Sequence, residues 1–328
     1  MNTAWLLAPG VTVALIAGNG PGIPETQIDP HLRPAAAQAQ SRGERPSTQL
    51  LIDVVAIDRD DNPITDLRRD EVEVWISGFR VPLDSFISIT PGEARSERLM
   101  VLILDDITVP LPMMPRVREA ARRFVDRMAP GDEIAIVSLN GSITMESTSD
   151  RAKLIRAIDS YNVRATGVLP FDALGAQVLQ TVGGLARQLG AADDRRKTIV
   201  GIGSGWVFDR PIPLPQLGRD LRAEWTDAMR SLSVANANFY VLDPGGVGSA
   251  PAVGGSGGFA REAGGFAFLN SNDSARAADR IMREASSYYL IGVTDPPIQR
   301  KAELRQIDVR INRPGITVRA RRMVSGTD

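Results

Sequence analysis

The chain has 328 residues, of which 43% are hydrophobic and 23% are charged. This composition is typical of a folded globular protein and excludes a chain that is disordered throughout. The formal net charge of −1 provides no attraction to nucleic acid or to an anionic membrane surface, so we expect neither as a partner.

Cysteine is absent, and the single histidine is His31. The first absence excludes thiol nucleophiles, disulfides and Cys-ligated zinc. Because His31 lies in a Pro/Ala/Gln-rich stretch, the predicted folded region has no histidine for a Ser-His-Asp triad or a general base. We therefore expect no enzymatic activity, and a metal would need oxygen ligands of the kind that Mg²⁺, Ca²⁺ or Mn²⁺ prefers.

Residues 1–46 are predicted to be a signal-like segment followed by a disordered linker. The apolar run Ala4–Gly18 is interrupted by Pro9 and Gly10 and is too short for a membrane-spanning helix. It is typical of the apolar part of a signal peptide, and the small residues at 35–39 offer a cleavage site. We expect an exported protein (periplasmic, in the cell envelope or secreted) with no membrane span other than this segment, if it stays uncleaved.

Residues 48–92 are predicted to form β-strands. Leu50–Ile57 and Glu71–Ile76 have alternating patterns, and the Asp/Asn/Pro cluster at 58–63 between them predicts a turn. Val81–Ile89 is a further extended run. Three or so strands in about forty residues bury little core alone, so they need a partner.

Strands alternate with helices in residues 97–286. The continuous apolar run Leu99–Leu104 is expected of a strand that is buried on both faces of a parallel sheet. Amphipathic helices separate it from further strands predicted at Ile134–Val137, Thr198–Ile202 and Phe239–Leu242. This alternation predicts an α/β fold with a doubly wound, mostly parallel, Rossmann-like sheet.

Residues 287–323 return to a β pattern. Alternating runs occur at Ser287–Val293, Gln306–Ile311 and Ile316–Arg321. We expect these late strands to pair with the early ones at 48–92 and to form a small β domain beside the α/β domain.

Carboxylates follow two of the predicted parallel strands. Asp105 and Asp106 come directly after Leu99–Leu104, and Asp243 follows Phe239–Leu242. Ligands of open α/β sheets bind beyond the carboxyl ends of the strands, so these side chains are candidates for a site. The alternative is that Asp106 only caps the turn before the next helix.

Several motifs, in order along the chain, are similar to those of bacterial VWFA-related proteins of the acidobacterial type. The resemblance spans roughly Gln49 to Met323 and implies a von Willebrand factor type A domain at 97–286, used for protein binding in an exported protein. The motifs that carry it are Ile52–Val55, Asp58–Leu67, Asp70–Val74, Leu102–Asp106, Tyr240–Pro244, Gly264–Phe268, Ser287–Gly292 and the strands between Val309 and Arg321.

The resemblance also implies a metal-ion-dependent adhesion site, formed by Asp-x-Ser-x-Ser, a later Thr and a later Asp that hold Mg²⁺. Asp105 matches the first aspartate. Ile107 and Val109 occupy the serine positions, Val168 the threonine position and Ser204 the second aspartate position. The site is therefore expected to be degenerate.

Some oxygen-bearing side chains remain near that site. We expect no cofactor, with Mg²⁺ bound at most weakly by this set, which comprises Asp105, Asp106, Thr108, Thr166 and Ser204. Trp206 and Asp243 are predicted to contribute to a rim that contacts a protein partner of unknown identity.

The sequence thus favours a non-catalytic protein-binding module of the adhesion type. Two alternatives stay open. One is Mg²⁺-dependent ligand binding or hydrolysis at the crevice beside Asp105 and Asp106. The other is an envelope assembly scaffold that acts through its β-strands by edge pairing.

Overall fold

A computed structural model describes most of the chain beyond residue 48. The predicted signal-like segment and the candidate site residues Thr166 and Ser204 lie outside the described residues. These are 49–92, 96–163, 171–192, 195–203, 206, 220–245, 256–269, 273–294 and 303–326.

The strands and helices alternate through the middle of the chain, and the segments before and after it contain strands, with one short 3₁₀ turn at Arg69–Glu71. The strands are β1 (Gln49–Ile57), β2 (Val72–Ile76), β3 (Phe79–Val81), β4 (Leu83–Ile89), β5 (Arg98–Leu104), β6 (Glu133–Ser138), β7 (Thr144–Thr148), β8 (Arg196–Ile202), β9 (Ala237–Leu242), β10 (Ala267–Phe268), β11 (Tyr288–Thr294), β12 (Leu304–Ile311), β13 (Thr317–Ala320) and β14 (Met323–Ser325). The helices are α1 (Met114–Asp126), α2 (Arg151–Ser160), α3 (Phe171–Gly190), α4 (Arg222–Val234), α5 (Ser256–Glu262) and α6 (Ser274–Ser286). In the described part of the chain, no helix has the length and apolarity needed to cross a membrane.

The central sheet has six strands in the order β10-β9-β8-β5-β6-β7. All neighbouring pairs are parallel except β6 and β7, which are antiparallel. The chain leaves β5 toward one edge of the sheet and then returns to the other side, which is the doubly wound topology. The fold class predicted from the sequence is confirmed.

Strand β5 shows why the sheet is covered on both faces. All seven of its residues are buried. Successive side chains of a strand point to opposite faces, so an uninterrupted apolar run needs helices on both sides. Leu99, Val101 and Ile103 pack in the layer of α3, α4 and α5, whereas Met100, Leu102 and Leu104 pack in the layer of α1, α2 and α6.

Local sequence features explain why α1 and α2 form where they do. Helix α1 buries a stripe that includes Val117, Ala121 and Phe124, and Pro115 in its first turn already has the φ angle of a helix. The Asp150 carboxylate accepts a hydrogen bond at 3.1 Å from the Lys153 backbone N–H and caps α2.

The flanking strands form two antiparallel sheets of four strands each. Their orders are β13-β1-β11-β4 and β14-β12-β2-β3, so each sheet combines strands from both ends of the described chain. In the first, Gln49 pairs with Thr294; in the second, Val74 pairs with Val309. The sheets share one apolar cluster, to which Ile52, Ile291, Val74, Ile307 and others contribute.

Candidate functional site

Asp105 lies at the carboxyl edge of the central sheet, immediately after β5, and is 1% exposed. Its backbone N–H donates to the Ile202 carbonyl at 3.0 Å and continues the pairing of β5 with β8. The Tyr161 hydroxyl donates to the Asp105 carbonyl at 2.5 Å. Strand pairing and this tyrosine therefore fix the position of the aspartate.

The Asp105 carboxylate closes the turn that follows β5. Its Oδ1 accepts hydrogen bonds from the backbone N–H groups of Ile107 at 3.1 Å and Thr108 at 2.8 Å, and its Oδ2 accepts one from the Thr108 hydroxyl. Burial raises the pKa of Asp105 to about 6, although these hydrogen bonds act to lower it. Both oxygens are thus used by donors of the chain itself.

The neighbouring carboxylate, Asp106, connects two loops. It is fully buried, and its Oδ1 accepts a hydrogen bond from the Asn140 backbone N–H at 3.0 Å. Its Oδ2 accepts one from the Ser142 hydroxyl at 2.8 Å, and that hydroxyl lies 3.0 Å from the Ser138 hydroxyl. Asp105, and not Asp106, therefore closes its own turn, while Asp106 joins the β5–α1 loop to the β6–β7 loop.

Trp206 and Asp243 are both buried at this edge. Trp206 is 2% exposed, and its ring comes within 3.0 Å of the point where a Cβ on Gly201 would lie. Asp243 is 4% exposed, and its carboxylate accepts a hydrogen bond from the Gly245 backbone N–H at 2.8 Å. In this arrangement neither side chain offers a partner more than a few per cent of its surface.

The structure brings Asp105, Asp106 and Thr108 together and places Asp243 on the same edge, two strands away. It adds residues that the sequence analysis did not assign to the site. Ser142 and Tyr161 lie far along the chain from Asp105, and Arg116 of α1 donates a hydrogen bond to the Gly245 carbonyl at 3.2 Å. These contacts depend on tertiary packing and leave no periodic signal in the sequence.

The described residues do not fit a directly coordinated metal ion. Within the described ranges, no three acidic, histidine or cysteine side chains are grouped so that they could hold one. Ile107 and Val109 have no side-chain oxygen, and the carboxylates of Asp105 and Asp106 already accept hydrogen bonds. Mg²⁺ requires a near-octahedral set of oxygens, which this part of the chain does not supply.

Among the described residues of this edge, the short 3₁₀ turn Leu111–Met113 in the β5–α1 loop carries an exposed side chain. The Leu111 side chain is 62% exposed, and the prolines on either side of it, Pro110 and Pro112, are also exposed. Gly141, in the loop that Asp106 holds, is exposed as well. Buried carboxylates thus support an exposed and partly apolar rim.

Comparison with known proteins gives matches to solved structures only. No family model and no curated protein matches the chain. Similar structures include an aerotolerance-related membrane protein from Bacteroides fragilis (18% identity, 57% of this chain and 99% of that chain, TM-score 0.38) and a von Willebrand factor type A protein from Catenulispora acidiphila (12% identity, 86% and 76%, TM-score 0.38). A third is the manganese-loaded TRAP protein of Plasmodium vivax (9% identity, 72% and 96%, TM-score 0.38). One fold supports many functions, so the function has to be inferred from the site.

Proposed function

We propose that this chain is a non-catalytic protein-binding module of an exported protein, and that its partner contacts the loops at the carboxyl edge of the central sheet. The observation that carries the proposal is the use of the two carboxylates at that edge. Asp105 and Asp106 are buried and accept hydrogen bonds from the chain itself, so they hold loops in place and are not presented to a substrate.

The loops held in this way present an exposed apolar side chain, Leu111, to a partner. Among the described residues, Leu111 belongs to a small group of large hydrophobic side chains that are mostly exposed, together with Phe79 and Val234. A side chain on a loop that is already fixed loses little conformational freedom when a partner covers it. Hydrogen bonds to Asp105 and Asp106 supply that rigidity, and Pro110 and Pro112 restrict the backbone on both sides of Leu111.

In this proposal the partner is bound without a bridging metal, because the adhesion-type metal site is degenerate. Ile107 and Val109 replace hydroxyl groups that would complete such a site.

Export is inferred from the signal-like segment at 1–46. The mass and N-terminal sequence of the protein recovered from the producing cells would test export, because cleavage near residues 35–39 is expected.

Leu111 and Val234 allow a matched test of the binding surface. Leu111 follows β5 at the carboxyl edge of the sheet, whereas Val234 ends α4 shortly before β9 begins, at the opposite edge. They are 62% and 72% exposed. A photo-reactive phenylalanine analogue is placed at one position or the other in the full chain, and crosslinking is carried out in a cell-envelope preparation.

We expect one defined adduct from position 111 and none of that mass from position 234. Leu111→Ser should lower capture of the same protein about tenfold, because it removes most of one buried side chain of the interface. Val234→Ser should leave capture unchanged. Equal crosslinking from both positions, or undiminished capture by Leu111→Ser, would contradict the proposal.

A further inference from the structure

The two helical layers that cover the central sheet differ in charge. In the layer of α3, α4 and α5, each helix carries as many acidic as basic residues. In the other layer, α1 has four arginines against two carboxylates, and α2 has two arginines and one lysine against a single carboxylate. Positive charge is therefore concentrated on one side of the sheet, although the net charge of the whole chain is −1.

We call the outward side of α1 and α2, with the residues that cap these helices, the basic face. The two helices lie side by side, since the Arg122 guanidinium of α1 pairs with the Asp159 carboxylate of α2. Helix α1 has 13 residues, so the face extends for roughly 20 Å along the helix axis. Its cations are all exposed or half-exposed, and they comprise Arg116, Arg118, Arg122, Arg123, Arg127, Arg151, Lys153 and Arg156.

Carboxylates compensate part of this charge. Four of these cations each form an ion pair with one carboxylate, namely Arg122 with Asp159, Arg123 with Glu119, Arg127 with Asp279 and Lys153 with Asp150. Asp126 of α1 and Glu146 of the neighbouring β7 are also exposed. Helix α6 adds two exposed arginines, Arg276 and Arg283, and the carboxylate of its cap, Asp273. The layer thus presents ten cations against seven carboxylates, an excess of three positive charges.

Other acidic groups limit where this excess acts. The buried Asp105 and Asp106 follow β5 at the carboxyl edge, and they lower the potential where α1 begins. On the far side of α6, Asp61 pairs with Arg280. The start of α2 is remote from both places, because α2 follows the end of β7 at the amino edge of the sheet. The excess is therefore best probed in the first turns of α2.

Three other cations of the basic face contact uncharged groups. They donate hydrogen bonds to backbone carbonyls, Arg116 to Gly245 at 3.2 Å, Arg118 to Tyr161 at 3.2 Å and Arg151 to Met128 at 2.6 Å. A carbonyl does not neutralise a guanidinium, so these side chains keep their charge. The last two bonds lie at the C-terminal ends of α2 and α1, whose partial negative charge is matched by the positive N-terminal ends of the same helices.

The basic face offers charge but little apolar surface. Among the described residues, the large hydrophobic side chains that are mostly exposed are Phe79, Leu111 and Val234, and none of them lies on α1 or α2. The core of a protein–protein interface is apolar, whereas the headgroups of a membrane attract a protein through charge. Cations spread over roughly 20 Å therefore suit an extended lipid surface better than a protein partner or a small anion.

We infer that the basic face docks on the anionic headgroups of a phospholipid membrane. A guanidinium group binds phosphate oxygens through two parallel hydrogen bonds, and clusters of about four to eight cations are typical of surfaces that bind anionic lipids. The net charge of the chain led to the opposite expectation, because it averages over two layers that differ. The inference does not depend on the proposed partner site, which lies in the loops at the carboxyl edge.

The test is cosedimentation of the full chain with vesicles of phosphatidylcholine, with and without phosphatidylglycerol. An apolar N-terminal segment would bind both kinds of vesicle, so the measured quantity is the difference between them. We expect half-maximal binding at about 5 mM anionic lipid at low ionic strength, and its loss in about 0.5 M sodium chloride. Equal binding to the two kinds of vesicle overturns the inference.

Charge-altering variants of the two layers form a matched set. Lys153→Gln and Arg156→Gln should each weaken binding to phosphatidylglycerol vesicles about fivefold, because one cation near an anionic surface contributes about that factor. Asp126→Asn should strengthen binding by a similar factor, since it removes a negative charge from the basic face. Arg222→Gln, at a side chain of α4 that is 66% exposed, should change binding less than about twofold. Equal effects of Arg156→Gln and Arg222→Gln overturn the inference.

The absence of cysteine from the chain allows a direct test of orientation. Ala152 of α2 and Ala173 of α3 are both exposed and belong to opposite helical layers. A donor dye is attached to Ala152→Cys or to Ala173→Cys, and an acceptor dye is placed on the lipid headgroups. Energy transfer on phosphatidylglycerol vesicles should be clearly stronger from position 152. Equal transfer from the two positions would show that another surface meets the membrane and would contradict the inference.

Discussion

Gly203 lies directly against Asp105, so that a Cβ added to Gly203 would be 2.2 Å from the Asp105 Cβ. The two residues follow the neighbouring strands β8 and β5 at the carboxyl edge of the sheet. The Gly203 backbone N–H also donates to the Leu242 carbonyl at 3.0 Å, which limits how far the backbone can move. Glycine is therefore required beside the buried aspartate.

Gly203→Ala is expected to destabilise the protein by about 1–3 kcal/mol, because the extra methyl group must displace Asp105 from its turn. Gly184→Ala, within α3, is the matched control. No atom lies within 4 Å of the Cβ that it would add, so we expect a gain of up to about 1 kcal/mol from helix propensity. Urea unfolding followed by circular dichroism measures both, and equal effects would contradict the close contact.

Neutralising the aspartate of the buried ion pair between Arg98 and Asp132 should lower the free energy of unfolding far more than the same change in an exposed pair. Arg98 is 4% exposed and Asp132 is 2% exposed, and the Asp132 carboxylate also accepts hydrogen bonds from the backbone N–H groups of Arg98 and Ala129. Asp132→Asn leaves a buried guanidinium without its counter-ion, so we expect a loss of about 3–5 kcal/mol.

The same substitution in an exposed pair is the control for this prediction. The Asp159 side chain is 47% exposed and pairs with Arg122 on the surface. Asp159→Asn should change the free energy of unfolding by less than about 1 kcal/mol. Thermal and urea unfolding measure both variants, and a loss below about 1 kcal/mol for Asp132→Asn would show that the buried pair contributes little.

Glu284 should make stability depend on pH. Glu284 belongs to α6 and is 2% exposed. Its carboxyl group lies beside the guanidinium groups of Arg280 and Arg319. Burial raises the pKa of Glu284 from its usual 4.5 to about 7, although Arg280 opposes the change. The folded state therefore keeps a proton that the unfolded state releases, so the stabilising contribution is complete below pH 4.5 and is lost as the pH rises toward 7.

The contribution of Glu284 is on the order of 3 kcal/mol across that interval. Glu284→Gln cannot titrate, so the difference in Tm between pH 5 and pH 7 should be smaller than in the unaltered protein. Glu119→Gln, at a side chain that is 62% exposed, should leave the pH profile unchanged. An unchanged profile in Glu284→Gln would mean that the carboxyl group is ionised throughout.

Adding or removing divalent metal ions is expected to change the thermal stability of the protein very little. Calorimetric titration with Mg²⁺, Mn²⁺ and Ca²⁺ should show no binding of micromolar or higher affinity, because Asp105 and Asp106 accept hydrogen bonds from the chain. A micromolar site would stabilise the fold by about 4 kcal/mol at millimolar metal. Thermal unfolding with added Mg²⁺ or with EDTA should therefore give the same Tm, and a clear difference would show that a metal site is formed.

The fold was predictable because its signals are local. An uninterrupted apolar strand such as Leu99–Leu104 requires cover on both faces, and alternation with amphipathic helices then implies a doubly wound sheet. Asp105 directly follows that strand in the sequence, so it was expected at the carboxyl edge of the sheet. Strand periodicity thus predicts which end of β5 carries Asp105, while the role of this edge stays a prediction.

The contacts within the site were not predictable, because they join residues that are distant in sequence. The bond between Asp106 and Ser142 depends on the packing of two loops. The burial of Trp206 depends on Gly201, whose missing side chain leaves room for the indole ring. The roles predicted for Thr166 and Ser204 stay predictions, since both lie outside the described residues.

Strand β1 has consequences for how the protein is made. It lies between β11 and β13, and its partners follow it by more than 200 residues, as the pairing of Gln49 with Thr294 shows. During synthesis on the ribosome, the whole central sheet emerges before β1 can be paired on either side. Pairings of such long range slow folding and leave apolar strands open to aggregation. The α/β sheet is therefore expected to form first, and a chaperone that holds β1 until release should raise the yield.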